Sequence, residues 1–199
     1  MQTGDPAEFD EVVMAVLLAE QDYPAREKQF EGATPDRLRA LSAEGRRALL
    51  LGETEGGLDL ERAGEQMTWT RAVATVAELD DFYYLYAAPW LAFTGGTCRV
   101  RDAAHDLKSL DPLTRQRVEG ALDMVRQGHD LQPLILLRSP GEDQIVIARG
   151  CARVTAHVRV CHPDRELEVI LGDVPDRSRW PWWPPERADE EPDPPSVQD

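Results

Sequence analysis

The segment Ala148-Arg149-Gly150-Cys151-Ala152-Arg153-Val154-Thr155-Ala156 places a glycine, a cysteine and two arginines where an apolar run gives way to a helical pattern. A glycine at such a junction lets the backbone turn and a ligand approach it closely. The first amide groups of the following helix have no partner within the helix, and its dipole favours an anion. Arg153, three residues in, can hold the same anion through its guanidinium fork. Together these describe a phosphate pocket, although strand-glycine-helix junctions also serve folding alone. Cys151 adds a second chemistry. A thiol at a helix N-terminus between Arg149 and Arg153 has its thiolate favoured, the condition for a nucleophile, which makes Cys151 the catalytic candidate. Its plain alternative is a small, partly buried residue.

A further candidate is Thr94-Gly95-Gly96-Thr97-Cys98-Arg99-Val100-Arg101. Successive amides around Gly95, Gly96 and Thr97 would form an anion-binding nest, with Arg99 or Arg101 adding charge; the alternative is a simple turn. It joins the first site only if folding brings it beside Gly150. His105 and Asp106 read as a surface or capping pair. Cys98, Cys151 and Cys161 show no Cys-x-x-Cys spacing, so neither a disulfide framework nor a metal site is expected.

The elements that position these residues are legible from patterning. Phe9, Val12, Val13, Val16 and Leu17 make an amphipathic helix behind an acidic first turn. Thr34-Pro35-Asp36 starts another through Leu38, Leu41, Leu49 and Leu50 to Gly52, with Gly45 a weak point in its continuity. Residues 53–66 lack a period and read as a connector, setting a boundary between a helical N-terminal region, 1–66, and the rest of the chain. Residues 69–79 are β-branched and mixed, and Phe82, Tyr83, Tyr84, Tyr86 and Trp90 form an aromatic stretch read as core. Asp111-Pro112 starts a helix with Val118, Ala121, Leu122 and Val125 on one face and Gly128 as its stop. Leu134–Arg138 and Gln144–Ala148 flank Pro140-Gly141, which suits a type II turn, so they predict a hairpin. A helix from Gly150, a break at His162-Pro163-Asp164 and a strand over Leu167–Leu171 complete a ββαβ unit. The fold class expected is α+β. After the cluster Trp180, Trp182 and Trp183, residues 184–199 are acidic and proline-rich and read as a disordered tail.

The run Leu134–Leu137, the hairpin, Ile145–Ile147, the box Gly150-x-x-Arg153-x-Thr155-Ala156 and the strand Leu167–Gly172 resemble the ParB/sulfiredoxin-like fold, especially its small stand-alone bacterial members. The Trp-rich segment after the last strand is similar too, and the likeness covers residues 95–183 within an expected domain 67–183. It implies a nucleotide or phosphate site, with CTP, ATP or ADP as candidate ligands, Mg²⁺ as a candidate companion, and Arg149, Gly150, Arg153 and Thr155 as ligand-binding residues. Where the family often has glutamate before the glycine this chain has Arg149, removing a carboxylate that would act as base or hold a metal-bound water. That favours binding, or a weakened phosphohydrolase or phosphotransferase, over a kinase. Gly150-Cys151-Ala152-Arg153 is also similar to the Gly-Cys-His-Arg box of sulfiredoxins, with Ala152 in place of the histidine.

Thirty-seven acidic against 22 basic residues give a net charge of −15 over 199 residues, so general attraction to nucleic acid is excluded and sequence-specific DNA binding is not expected. No apolar run spans a membrane and no secretion signal stands at the start, which points to a cytoplasmic protein. The competing reading is a non-enzymatic scaffold whose N-terminal helices or acidic tail contact a protein partner.

Overall fold

The Pro-Gly signal and its two apolar flanks lie at the centre of the architecture. Strands β4 (Leu134–Arg138) and β5 (Ile145–Arg149) pair antiparallel in the computed structural model, which describes residues 1–21, 34–53, 67–180 and 182–184. Ser139 O accepts from Glu142 N at 3.1 Å, and Gly141 takes φ +85°, the geometry of a type II turn. Helix α7 (Cys151–Val160) then returns the chain, and β6 (Glu166–Asp173) lies parallel to β4. β4 is apolar from Leu134 to Leu137 because both of its faces are covered there. Leu134 and Leu136 enter one apolar cluster, and Ile135 and Leu137 the other.

The sheet continues on both sides of this unit. β2 (Thr68–Thr75) pairs antiparallel with β6, and β1 (Gln2–Ala7) with β2. At the far edge the two-residue β3 (Tyr83–Tyr84) runs parallel to β5, giving the order β1-β2-β6-β4-β5-β3. The register Trp69↔Gly172 uses a glycine. A Cβ at 172 would come within 2.6 Å of the Trp69 ring.

Helices cover both faces of this mixed α+β fold. On one side lie α1 (Phe9–Gln21), α2 (Pro35–Ala40) and α3 (Ala43–Glu53); on the other lie α4 (Val76–Leu79), α5 (Ala88–Phe93), α6 (Pro112–Arg126) and α7. Asp111 caps α6 by accepting from Leu113 N and Thr114 N, as the Asp-Pro pair predicts. Its far end closes in a Schellman motif, with Gly128 at φ +78° and His129 N donating to Met124 O.

Three features depart from the sequence reading. Residues 2–7, assigned to a helical N-terminal region, form the edge strand β1. Its Gly4-Asp5-Pro6 core carries no strand alternation, and the pairing comes from β2 instead. The helix expected from Pro35 to Gly52 is two helices. It breaks at Leu41-Ser42, ahead of Gly45, because Ser42 Oγ accepts from Gly45 N and starts a new helix. Arg46 spans that break, donating to the carbonyls of Leu38 and Leu41 and holding Asp10 with two hydrogen bonds. Finally, residues on both sides of the 53–66 connector share one sheet and one apolar cluster, in which Val13 and Leu17 meet Trp69, Ile135 and Ile170. Most of that connector, and the tail beyond Pro184, lie outside the described residues. No helix among the described residues is long and apolar enough to cross a membrane.

Candidate anion-binding site

The β5–α7 junction is shaped by Gly150. It takes φ +103°, a left-handed conformation open to glycine, and serves as N-cap of α7 without a side chain to bond the first turn. Space makes the same demand. A Cβ here would lie 2.7 Å from Leu134 Cδ2 and 2.9 Å from Arg153 Nη2. The Arg153 guanidinium is therefore folded back over the glycine rather than extended along the helix.

Arg153 is only 4% exposed. Its Nη1 donates to Pro133 O at 2.9 Å and to Gln132 O, which fixes the planar group, while Nε is buried without a hydrogen-bond partner among the described residues. No carboxylate lies within ion-pair distance of it among those residues. Burying a cation without a counter-charge is costly, and doing so in a chain with a 15-unit acidic excess is unexpected on composition alone.

A cavity of about 160 Å³ opens at this point. The 148–153 segment forms one side, Thr114 and Arg117 of α6 another, and Leu85, Trp90, Val16 and Ala19 the rest. Three arginines, 117, 149 and 153, line it, and no Asp or Glu does among the described residues. Arg149, Gly150 and Arg153 of the sequence-predicted set are thus brought together. Arg117 and Thr114 escape a sequence reading because they precede the box by more than thirty positions; their only signal is a place beside the buried stripe of α6.

Comparison of the chain with protein-family models, curated proteins and solved structures returns no match.

Thr155, expected beside the ligand, is turned inward. Its Oγ1 donates to Cys151 O at 2.9 Å and also lies 2.8 Å from Tyr84 Oη in a second hydrogen bond, so it ties α7 to β3 and does not line the cavity. Tyr84 is itself fully buried, stacked on Trp90 with ring centroids 4.5 Å apart, and burial pushes its hydroxyl well above the usual range.

The favoured thiolate expected at Cys151 is reversed. The side chain is buried, with Sγ 3.5 Å from Ile147 O, and desolvation pushes its pKa up to about 11, outweighing Arg149 and Arg153. Cys98 is raised to about 12, again chiefly by burial. Cys161 is only half-buried, with Sγ 3.4 Å from Nδ1 of His157.

The Gly95-Gly96-Thr97 loop does not line the cavity, and the Gly96 amide and those of Cys98 and Arg99 just after it are bonded within the loop and α5. Gly96 N donates to Leu91 O, Cys98 N to Thr94 Oγ1 and Arg99 N to Thr97 Oγ1. It closes the C-terminal end of α5, with Gly95 at φ +64° and Gly96 at φ +97°, away from the Gly150 cavity. Asp106 caps a short 3₁₀ turn through Lys108 N. Trp180 and Trp183 are buried and Trp182 is exposed; Trp183 Nε1 donates to Gln144 Oε1 at 2.7 Å, so the cluster fastens the chain end against the sheet. Among the described residues no three His, Cys, Asp or Glu side chains are grouped to hold a metal ion.

Proposed function

We propose that this protein binds a phosphate-bearing small molecule at the β5–α7 junction, with Arg149, Gly150, Arg153 and Arg117 around the anion. The observation that carries this reading is the buried Arg153 guanidinium, which has no carboxylate partner among the described residues and sits beside an uncapped helix N-terminus in a cavity lined by two further arginines. An anionic ligand supplies the missing counter-charge. The volume of about 160 Å³ is below that of pockets enclosing whole drug-sized ligands, so it takes the phosphate end and leaves the rest of a nucleotide outside. The resemblance to the ParB/sulfiredoxin-like fold supports CTP, ATP or ADP as such ligands.

A binding role is favoured over turnover. The cavity offers no carboxylate or imidazole among its described lining residues, and the one thiol there is held protonated at neutral pH, so a general base is lacking. Any Mg²⁺ would come with the ligand's own phosphates.

Thermal-shift titration of the full chain tests this, using phosphate, pyrophosphate, CTP, ATP and ADP with and without Mg²⁺. Binding to the native state raises the midpoint by mass action. A rise in the wild type that is lost in Arg153→Ala and reduced in Arg149→Ser and Arg117→Ser is the expected result; equal midpoints with every anion would overturn the assignment. The last two variants leave the Gln132 and Pro133 carbonyls satisfied, so they separate ligand loss from instability.

A further inference from the structure

A second cavity, of about 820 Å³, lies between α1 and the β1-β2-β6 end of the sheet and shares no lining residue with the Gly150 cavity. Its size falls in the range that encloses a small organic ligand. α1 sends Val12, Val13, Val16 and Leu17 into the core, so the adjoining stripe with Met14 and Leu18 faces the opening. Val73 of β2 and Ile170 of β6 complete an apolar floor.

The rim is acidic. Asp10 is held by Arg46, and Glu11 by Arg71. Asp5 on β1 and Glu168 on β6 have no cation within ion-pair distance among the described residues, and both are exposed at the mouth. β2 separates their strands, and strands lie about 4.8 Å apart, so the backbones that carry the two carboxylates are about 10 Å apart across the sheet. They are also offset along it, because Glu168 is level with Gln2 while Asp5 is further along β1. An apolar trough with one unpaired negative charge toward each end is complementary to a linear dication on the order of 10–15 Å long.

We propose that this groove binds an aliphatic diamine or polyamine. Its ammonium ends lie at Asp5 and Glu168, and its methylene chain lies over Met14, Leu18, Val73 and Ile170. A monocation satisfies one carboxylate only, and a neutral chain of the same length satisfies neither.

Isothermal titration calorimetry of the full chain with 1,8-diaminooctane, octylamine, 1,8-octanediol and 1,4-diaminobutane distinguishes these. The long diamine should bind at least tenfold more tightly than octylamine, and the short diamine more weakly than the long one. D5N and E168Q should each reduce diamine affinity several-fold, and the double variant should bring it to the octylamine level. Both carboxylates are exposed and outside ion pairs, so these variants keep the wild-type thermal midpoint. As a second check, Val73→Lys places the protein's own ammonium in the trough and should abolish diamine binding. Equal affinity for diamine, monoamine and diol, diamine affinity indifferent to D5N and E168Q, or no heat at millimolar diamine would each overturn the proposal. So would a tenfold preference for a Lys/Arg-rich peptide over every diamine. Arg149→Ser, which leaves the Gln132 and Pro133 carbonyls of this cavity satisfied, keeps diamine binding unchanged, so failure here and failure at the phosphate site are distinguishable.

Discussion

The two ends of the sheet are assembled by different forces. At the β4-β5-α7-β6 end the decisive groups are backbone ones: a Pro-Gly turn, a glycine N-cap at φ +103° and a strand buried on both faces. At the β1-β2 end the decisive groups are side chains far apart in sequence. Arg46 holds Asp10 across 36 positions and Arg71 holds Glu11 across 60. The cavities differ in charge: the cationic one takes half of its lining from the contiguous segment 148–153, and the acidic one takes its lining from β1, α1, β2, β6 and the 132–133 segment. In a chain with 15 excess negative charges, keeping carboxylates away from Arg153 is a local achievement of the first end, not a property of the whole surface.

The sharpest way to break this contrast is Gly150→Val. The added side chain meets Leu134 and Arg153 and forces a β-branched residue into left-handed backbone, so urea unfolding should show a loss of about 3 kcal/mol or more. Gly95→Asn is the control. It has the same sign of φ but open space around it, and should cost less than about 1 kcal/mol.

Acid should weaken the same end next. His157 is buried with its pKa lowered to about 4, first by desolvation and then by Arg165 and Arg153. The unfolded chain takes up this proton near pH 6.5 and the folded chain only near 4, so the contribution is complete above about 6.5 and lost as pH falls toward 4. At its fullest that loss is about 3 kcal/mol. The difference between wild-type and His157→Asn unfolding curves across pH 7 to 4 measures it, and parallel curves would refute it.

Substitution of Arg46 by Met, which keeps the stem but removes four hydrogen bonds, should cost about 2 kcal/mol in chemical denaturation. Arg71→Gln should cost under about 1 kcal/mol and less still in high salt, because that pair is half-exposed. If Arg71→Gln proved the costlier of the two, the N-terminal end would be held by its surface and not by the clasp between α1 and α3.

The asymmetry also explains what can be read from the residues alone. Asp111-Pro112, Pro140-Gly141, Gly128 and Gly150 act on the backbone within a few positions, so their structural roles are written locally, and all four occupy the positions expected of them. β1 is a strand only because β2 offers it an edge, and nothing in Gln2–Ala7 anticipates that. Within the site, Arg149, Gly150 and Arg153 are accessible to a local reading. Thr155 is misplaced by such a reading because its partner Tyr84 is 71 positions away, and Cys151 because burial outweighs two neighbouring arginines. Arg117 escapes it for a related reason: its approach to the junction is decided by how α6 packs on α7.

The position of β6 between β2 and β4 has a consequence for synthesis. It is the last strand of the six, yet it joins the two ends of the sheet. Without residues 166–173 the β1–β2 pair and the β4–β5 hairpin have no strand between them, and the edges of β2 and β4 that β6 covers are left open. Closure then depends on contacts nearly a hundred residues apart, the kind that form slowly. A chain stalled before β6 would leave the β2 and β4 edges open to pairing with neighbouring chains.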